Sequence, residues 1–316
     1  MEKKEVLSAG IKKTKRFGSV AADLRKNYLL YLISLPGILF YILFAYLPLY
    51  GILIAFKDYS PMDGIWGSQW VGLKHFIDFF SSVSFVRVVR NTLFLNFYLI
   101  VFGFPAPIIL ALLLNEVRQK IFKRTVQTIT YMPHFISMVV ICGIIVDFTS
   151  SSGIITQLFR WLGFDYVNLL QEAHLFRGIY VVSDIWQSVG WGSIIYLAAL
   201  SGVDSALYEA ASIDGAGKVK QLFHVTLPAI TPTIVIMLIM RIGNIMSLGA
   251  DKVILLYNPV TYETADIISS FVYRKGLIEA DQSFATAVGL FNSVINFLLV
   301  FAANKTSRKL SGSSLW

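Results

Sequence analysis

The chain lacks most of what enzyme chemistry requires. It has one cysteine, Cys142, so no internal disulfide can form. Cys142 lies inside an apolar run, where it reads as a packing residue. The four histidines, His75, His134, His174 and His224, are scattered without metal-ligand spacing. No serine or cysteine nucleophile arrangement stands out. The chain has no G-x-x-x-x-G-K-[ST], and Gly215-Ala216-Gly217-Lys218 is no substitute because its spacing and context are wrong. It therefore cannot cradle nucleotide phosphates itself. Charge is scarce as well: 15% of residues are charged, against about 25% in soluble domains. A membrane-bound enzyme ranks last among the possible functions, and no nucleic-acid-reading fold is evident. There is no solenoid-period repeat and no low-complexity tract.

What is present is apolar length. Of 316 residues, 56% are hydrophobic, and the mean hydropathy is +0.66. Six runs reach the roughly 20 residues needed to cross a roughly 30 Å hydrocarbon core. They lie near 28–56, 92–115, 126–147, 179–201, 229–248 and 285–303. The first is too long for the roughly 7–15-residue core of a signal peptide, so it is read as a retained span. Pro36, Pro48, Pro105, Pro107 and Pro133 interrupt or bend these runs, which favours a bundle whose neighbours satisfy freed backbone groups. The class is all-α transmembrane, a basic segment 1–27 preceding a six-span domain 28–303 and a tail 304–316.

Lys and Arg concentrate in the head, after the second run (Arg118, Lys120, Lys123, Arg124), after the fourth (Lys218, Lys220) and in the tail. The alternate loops near 57–91, 148–178 and 249–284 carry acids such as Asp58, Asp78, Asp266 and Glu279, which offset their basic residues. The positive-inside rule thus predicts both termini and the 203–228 loop in the cytoplasm. At about thirty residues each, the outer loops fall below the ~50 residues of a minimal domain. The expected setting is a bacterial inner or plasma membrane, with lipid as a partner.

The 203–228 loop has a local logic of its own. Asp204 is a predicted N-cap. Leu207, Ala210 and Ala211 form a small-residue apolar stripe. Gly215 and Gly217 break the helix. A second short helix places Val219, Leu222, Phe223 and Thr226 on one face, and Pro228 opens the fifth span. The result is a helix–turn–helix across the membrane face, suited to a partner's groove or to the headgroup layer.

Glu209-Ala210-Ala211, Asp214-Gly215-Ala216, Phe223 and Leu227-Pro228 resemble, at matching spacing, the EAA loop of ATP-binding-cassette importer permeases. The likeness extends over the whole chain. It implies the six-helix type I importer permease fold, in which the loop's first helix sits in a cleft of an ATPase subunit and transmits its closure to the gate. Carried onto this chain, Glu209 makes polar contacts there and Ala210 and Ala211 permit close approach. Gly215 allows the sharp turn, with Asp214 capping or bracing it. ATP and Mg would be bound by two partner ATPase subunits, leaving no cofactor in this chain. A second permease subunit, an unlike one, and an extracellular solute-binding protein complete the implied system. Residues 255–259 (LLYNP), 267–277 (IISSFVYRKGL), 287–293 (AVGLFNS) and 310–316 (LSGSSLW) resemble the carbohydrate-uptake branch, more narrowly permeases for oligosaccharides derived from polysaccharides.

For the substrate path, polar residues at membrane depth are the candidates. An arginine there costs at least about 2.5 kcal/mol unless it faces a cavity or a carboxylate. Arg241 and Asn244 share one side of the fifth span, and Arg241 either meets substrate or pairs with another subunit, Asp184 or Asp147. Asp184, Trp186 and Gln187 are expected to open the fourth span. Asn292 and Asn296 in the sixth serve the path or bind helices together. Trp66, Trp70 and Trp161 read as interfacial belt residues. The alternative function is an ATP-independent secondary transporter or channel, which would show inverted repeats or paired broken helices; no convincing repeat is seen.

Overall fold

The computed structural model describes residues 23–165, 167–243, 245 and 249–311. The basic head, apart from its last residues, Asn244 and the final 312–316 lie outside them. Two units are described separately: residues 1–53 and 54–316. Helix α1 (Tyr28–Phe56), whose residues up to Leu53 fall in the first unit, begins as a regular helix, widens over Ile42–Tyr46 and tightens over Leu47–Phe56. Pro36 is accommodated within the regular stretch Tyr28–Tyr41, whereas the winding changes just before and at Pro48, which lacks the N–H that a uniform helix needs.

The second unit starts with a short hairpin. Strand β1 (Lys57–Asp58) pairs antiparallel with β2 (Gln69–Trp70). Then come α2 (Lys74–Ser81), α3 (Val83–Glu116), α4 (Lys120–Tyr131), α5 (Met138–Trp161), α6 (Ala173–Ser201), α7 (Ser205–Ile213), α8 (Lys218–Gly243), α9 (Ala250–Leu256), α10 (Ile268–Tyr273) and α11 (Gln282–Ser311). Among the described residues, five helices can cross a membrane by length and composition, or six if the pair α6 and α7, bent by 70°, counts as one span.

Several boundaries differ from the expectation: the second span begins at Val83 rather than 92 and the fourth helix at Ala173 rather than 179, both longer than their apolar runs. The third span does not begin at 126. Residues 120–131 form a separate helix without a fully buried residue. Pro133 then interrupts the chain, and the Ser137 hydroxyl caps the true span by accepting from the Val140 N–H. The fifth span starts at Lys218 rather than at Pro228. The wide turn Leu222–Thr226 lies just before that proline and removes the clash with the preceding carbonyls, so the helix runs through it. Pro105 gets the same treatment: Leu99–Gly103 widens, and the Phe104 N–H reaches back to the Leu99 carbonyl at 2.8 Å. The last helix continues past 303 to Ser311.

The helices pack through three apolar clusters. One joins α3, α5, α6 and α9 through Leu95, Ile141, Phe176 and Val253. A second gathers Phe79, Val88, Phe271 and Phe284. The third, at the end nearest the 203–228 loop, joins α3, α6 and α8 through Ala111, Tyr196 and Ile230. At Gly190 a Cβ would lie 2.1 Å from the Thr130 carbonyl oxygen. Only glycine lets α4 press this closely on α6.

Candidate functional site

The loop helix α7 is built for rigidity behind and exposure in front. The Asp204 carboxylate accepts from the Ala206 N–H at 2.9 Å, the expected N-cap. At the other end, the Ala216 N–H donates to the Ala211 carbonyl at 2.8 Å and the Gly215 N–H to that of Ser212 at 3.1 Å. That pair is a Schellman closure, and it needs the left-handed backbone of Gly215, φ 74°. Asp214 takes the C-cap position, but its side chain is not the brace. Gln221 is: its Nε2 donates to Ser212 Oγ at 2.9 Å and to the Ala216 carbonyl at 3.0 Å. Tyr208 and Thr226 bond hydroxyl to hydroxyl at 3.1 Å. Lys218 reaches Glu116, at the end of α3, at 3.1 Å.

With those contacts spent on one side, Leu207, Glu209, Ala210 and Ile213 stand exposed on the other. Ala211, expected in the stripe, is half-buried. Phe223 and Pro228 are exposed too, while Leu227 packs partly into the cluster at this end. A helix held from behind and presenting small and apolar side chains matches what a groove accepts.

The second feature is a charge cluster on α6. Asp184 does not open its span. It sits eleven residues into the 29-residue helix, about 16 Å along its axis. Arg241 from α8 places Nη2 3.9 Å from Asp184 Oδ2, and Lys252 from α9 places Nζ 3.9 Å from Oδ1. Arg241 therefore pairs within the chain with Asp184, not with Asp147. The Lys252 side chain is only 2% exposed, and its Nζ has no hydrogen-bond partner. It lies 5.0 Å from the Tyr180 ring centre. Lys252 went unnoticed in the sequence because it falls in a stretch read as an outer loop; the apolar run that follows it, 253–256, was the available signal.

The other path candidates do not gather here. Trp186 lines an apolar cavity of about 440 Å³ between α5 and α6, with Phe148 and Phe159. Gln187, half-buried, lies one turn beyond Asp184. Asn292 on α11 has a buried Oδ1 without a hydrogen-bond partner.

A second acidic centre also escaped notice. Asp266 is fully buried and accepts from Arg274 at 2.7 and 3.2 Å, from Arg87 at 3.3 Å and from Ser270 at 2.9 Å. Burial alone would pull the Arg274 guanidinium down, but the bonds and charge of Asp266 outweigh it and hold it above its ordinary value. Asn91 donates to the Asp266 and Glu263 carbonyls, which ties α3 to this segment.

Residues 103–312 match the family described as binding-protein-dependent transport system inner membrane component. The chain belongs to that family. It is thus a transport subunit, not a catalytic one, and a multi-pass membrane protein. The permease is 46% identical to Protein LplB of Bacillus subtilis (strain 168) over 296 residues, 93% of each chain. It is 44% identical to the polygalacturonan/rhamnogalacturonan transport system permease protein YteP of the same organism, over 96% of this chain and 95% of that one. A crystal structure of a bacterial alginate ABC transporter, in complex with an alginate pentasaccharide-bound periplasmic protein, superposes with a TM-score of 0.86 at 42% identity. That match covers 94% of this permease and 99% of the other chain.

Proposed function

We propose that this permease is one transmembrane half of an ATP-driven importer for oligosaccharides, with α7 as the element that receives the ATPase stroke. A second permease subunit, two ATPase subunits and an extracellular solute-binding protein complete the machine. The loop faces the cytoplasm. ATP binding draws the ATPases together, α7 moves as a rigid peg, and α6 and α8, joined to it at either end, carry the motion to the path between the two permeases. Hydrolysis resets the cycle. The substrate class rests on relatives named for polygalacturonan, rhamnogalacturonan and alginate.

The single supporting observation is the way α7 is braced from behind by Gln221, Tyr208 and Lys218 while Glu209, Ala210 and Ile213 remain exposed. The test is Glu209→Lys and, separately, Gly215→Pro in the reconstituted transporter. Proline cannot adopt φ near +74° and loses the N–H that closes the turn. Both changes should abolish uptake and sugar-stimulated ATP hydrolysis while the chain still inserts. Normal uptake in either variant would refute the docking role.

A further inference from the structure

Two cations surround one carboxylate eleven residues into the long helix α6. Asp184 carries one negative charge, Arg241 and Lys252 two positive ones, and the Tyr180 ring fills the remaining side of Lys252. Neither contact closes to hydrogen-bond distance, since both stand at 3.9 Å. An unbalanced charge at this depth costs several kcal/mol unless it serves a cavity or a ligand. The two-cation centre at Asp266 closes its contacts, whereas this one leaves them open.

The exposures divide the labour. The Lys252 side chain is 2% exposed, Asp184 26% and Arg241 39%. The ammonium is sealed against Asp184 and the Tyr180 ring, so it neutralises the carboxylate from the protein side. Arg241 is the member that reaches open space, and its charge is left over. A guanidinium presents parallel N–H donors in a planar fork that matches a carboxylate.

We propose that this cluster is an anion station on the translocation path: Arg241 contacts a carboxylate of the passing sugar chain, and Lys252 holds Asp184 so that Arg241 is free to do so. The substrate class is thereby an acidic oligosaccharide, one with uronate rings. This assignment rests on the transport function proposed above and narrows it. Arg241 touches ligand; Lys252 acts through Asp184 as a positioning residue. Replacing Lys252 by an apolar side chain of similar length leaves Asp184 and Arg241 to neutralise each other. Anion preference then disappears although no ligand-contacting residue has changed.

The experiment uses the complete transporter, purified in detergent and titrated with two fluorescently labelled galacturonate pentasaccharides. One carries free carboxylates and the other is fully methyl-esterified, hence neutral. Wild type should bind the free acid about tenfold or more tightly than the ester, the scale of one charge-assisted hydrogen bond. Lys252→Met and Arg241→Gln should each bring the two affinities together by weakening the acid alone. Lys252→Arg should keep the preference. Co-elution of the variant with its partner subunits checks assembly, and Arg241→Gln remains informative where Lys252→Met assembles poorly. Equal wild-type affinity for acid and ester overturns the anion station and leaves carbohydrate import standing. A Lys252→Met permease that retains the preference also overturns it, as does one that loses both sugars equally. A wild-type transporter that binds neither sugar overturns the station as assigned to galacturonate chains and leaves the carbohydrate assignment to other sugars.

Discussion

Asp266 and Asp184 have the same partners in kind and opposite fates. Each is flanked by two cations from different elements. Around Asp266 the contacts close: 2.7 Å to Arg274, 3.3 Å to Arg87 and a serine hydroxyl at 2.9 Å. Around Asp184 they stay open, both at 3.9 Å, and Lys252 makes no hydrogen bond. Asp266 lies in the segment 259–267, which packs on α3 and α10 with Ala265, Ile267 and Ile268 buried beside it, and its closed contacts fix that junction. Asp184 lies on the long α6, between helices that must shift if the permease is to open to either side. Distance and closure, rather than charge count, separate a structural clamp from a site with charge to spare.

The comparison yields graded expectations. Asp266→Ala should be the most damaging, because it leaves two arginines partly buried without their carboxylate; a loss of about 3–5 kcal/mol is expected, read as a lowered unfolding midpoint of the detergent-solubilised chain. Asp184→Asn should be the milder change, since its contacts stand at 3.9 Å and Arg241 is partly open, although it leaves the buried Lys252 without a counter-charge. It should also tighten binding of the free-acid pentasaccharide, because both cations then lack a counter-charge. If Asp184→Asn destabilises as much as Asp266→Ala, the two centres are alike and the distinction fails.

The coupling loop and the two charge centres differ in how far the sequence discloses them. The coupling loop is written in local chemistry. An aspartate before a short apolar run, a glycine eleven residues on and a proline beyond are signals of cap and turn, and Asp204 and Gly215 sit where those signals put them. The brace by Gln221 was not legible, since its partners Ser212 and Ala216 are brought near only when the turn closes. The apolar runs announced membrane helices, but their ends depend on how the backbone absorbs proline. Widening at Leu222–Thr226 carries a helix through Pro228, whereas at Pro133 the chain stops and a serine restarts it. Neither outcome follows from the proline alone. Lys252 and Asp266 were hidden for a related reason: a charged residue in a polar-looking connector is taken for a solvated one, and only the packing of α3, α6, α9 and α10 buries them.

The central claim is that α7 plugs into a separate ATPase. Cys142 is the chain's only cysteine and is buried, so a Cys142→Ala background accepts a single new thiol at Ala210 with little ambiguity. In the assembled transporter, Ala210→Cys should cross-link to a cysteine placed in the ATPase cleft, and ATP should change the yield. A thiol at Ala210 that is labelled from the extracellular side by a membrane-impermeant reagent, and forms no cross-link in any nucleotide state, would contradict the account.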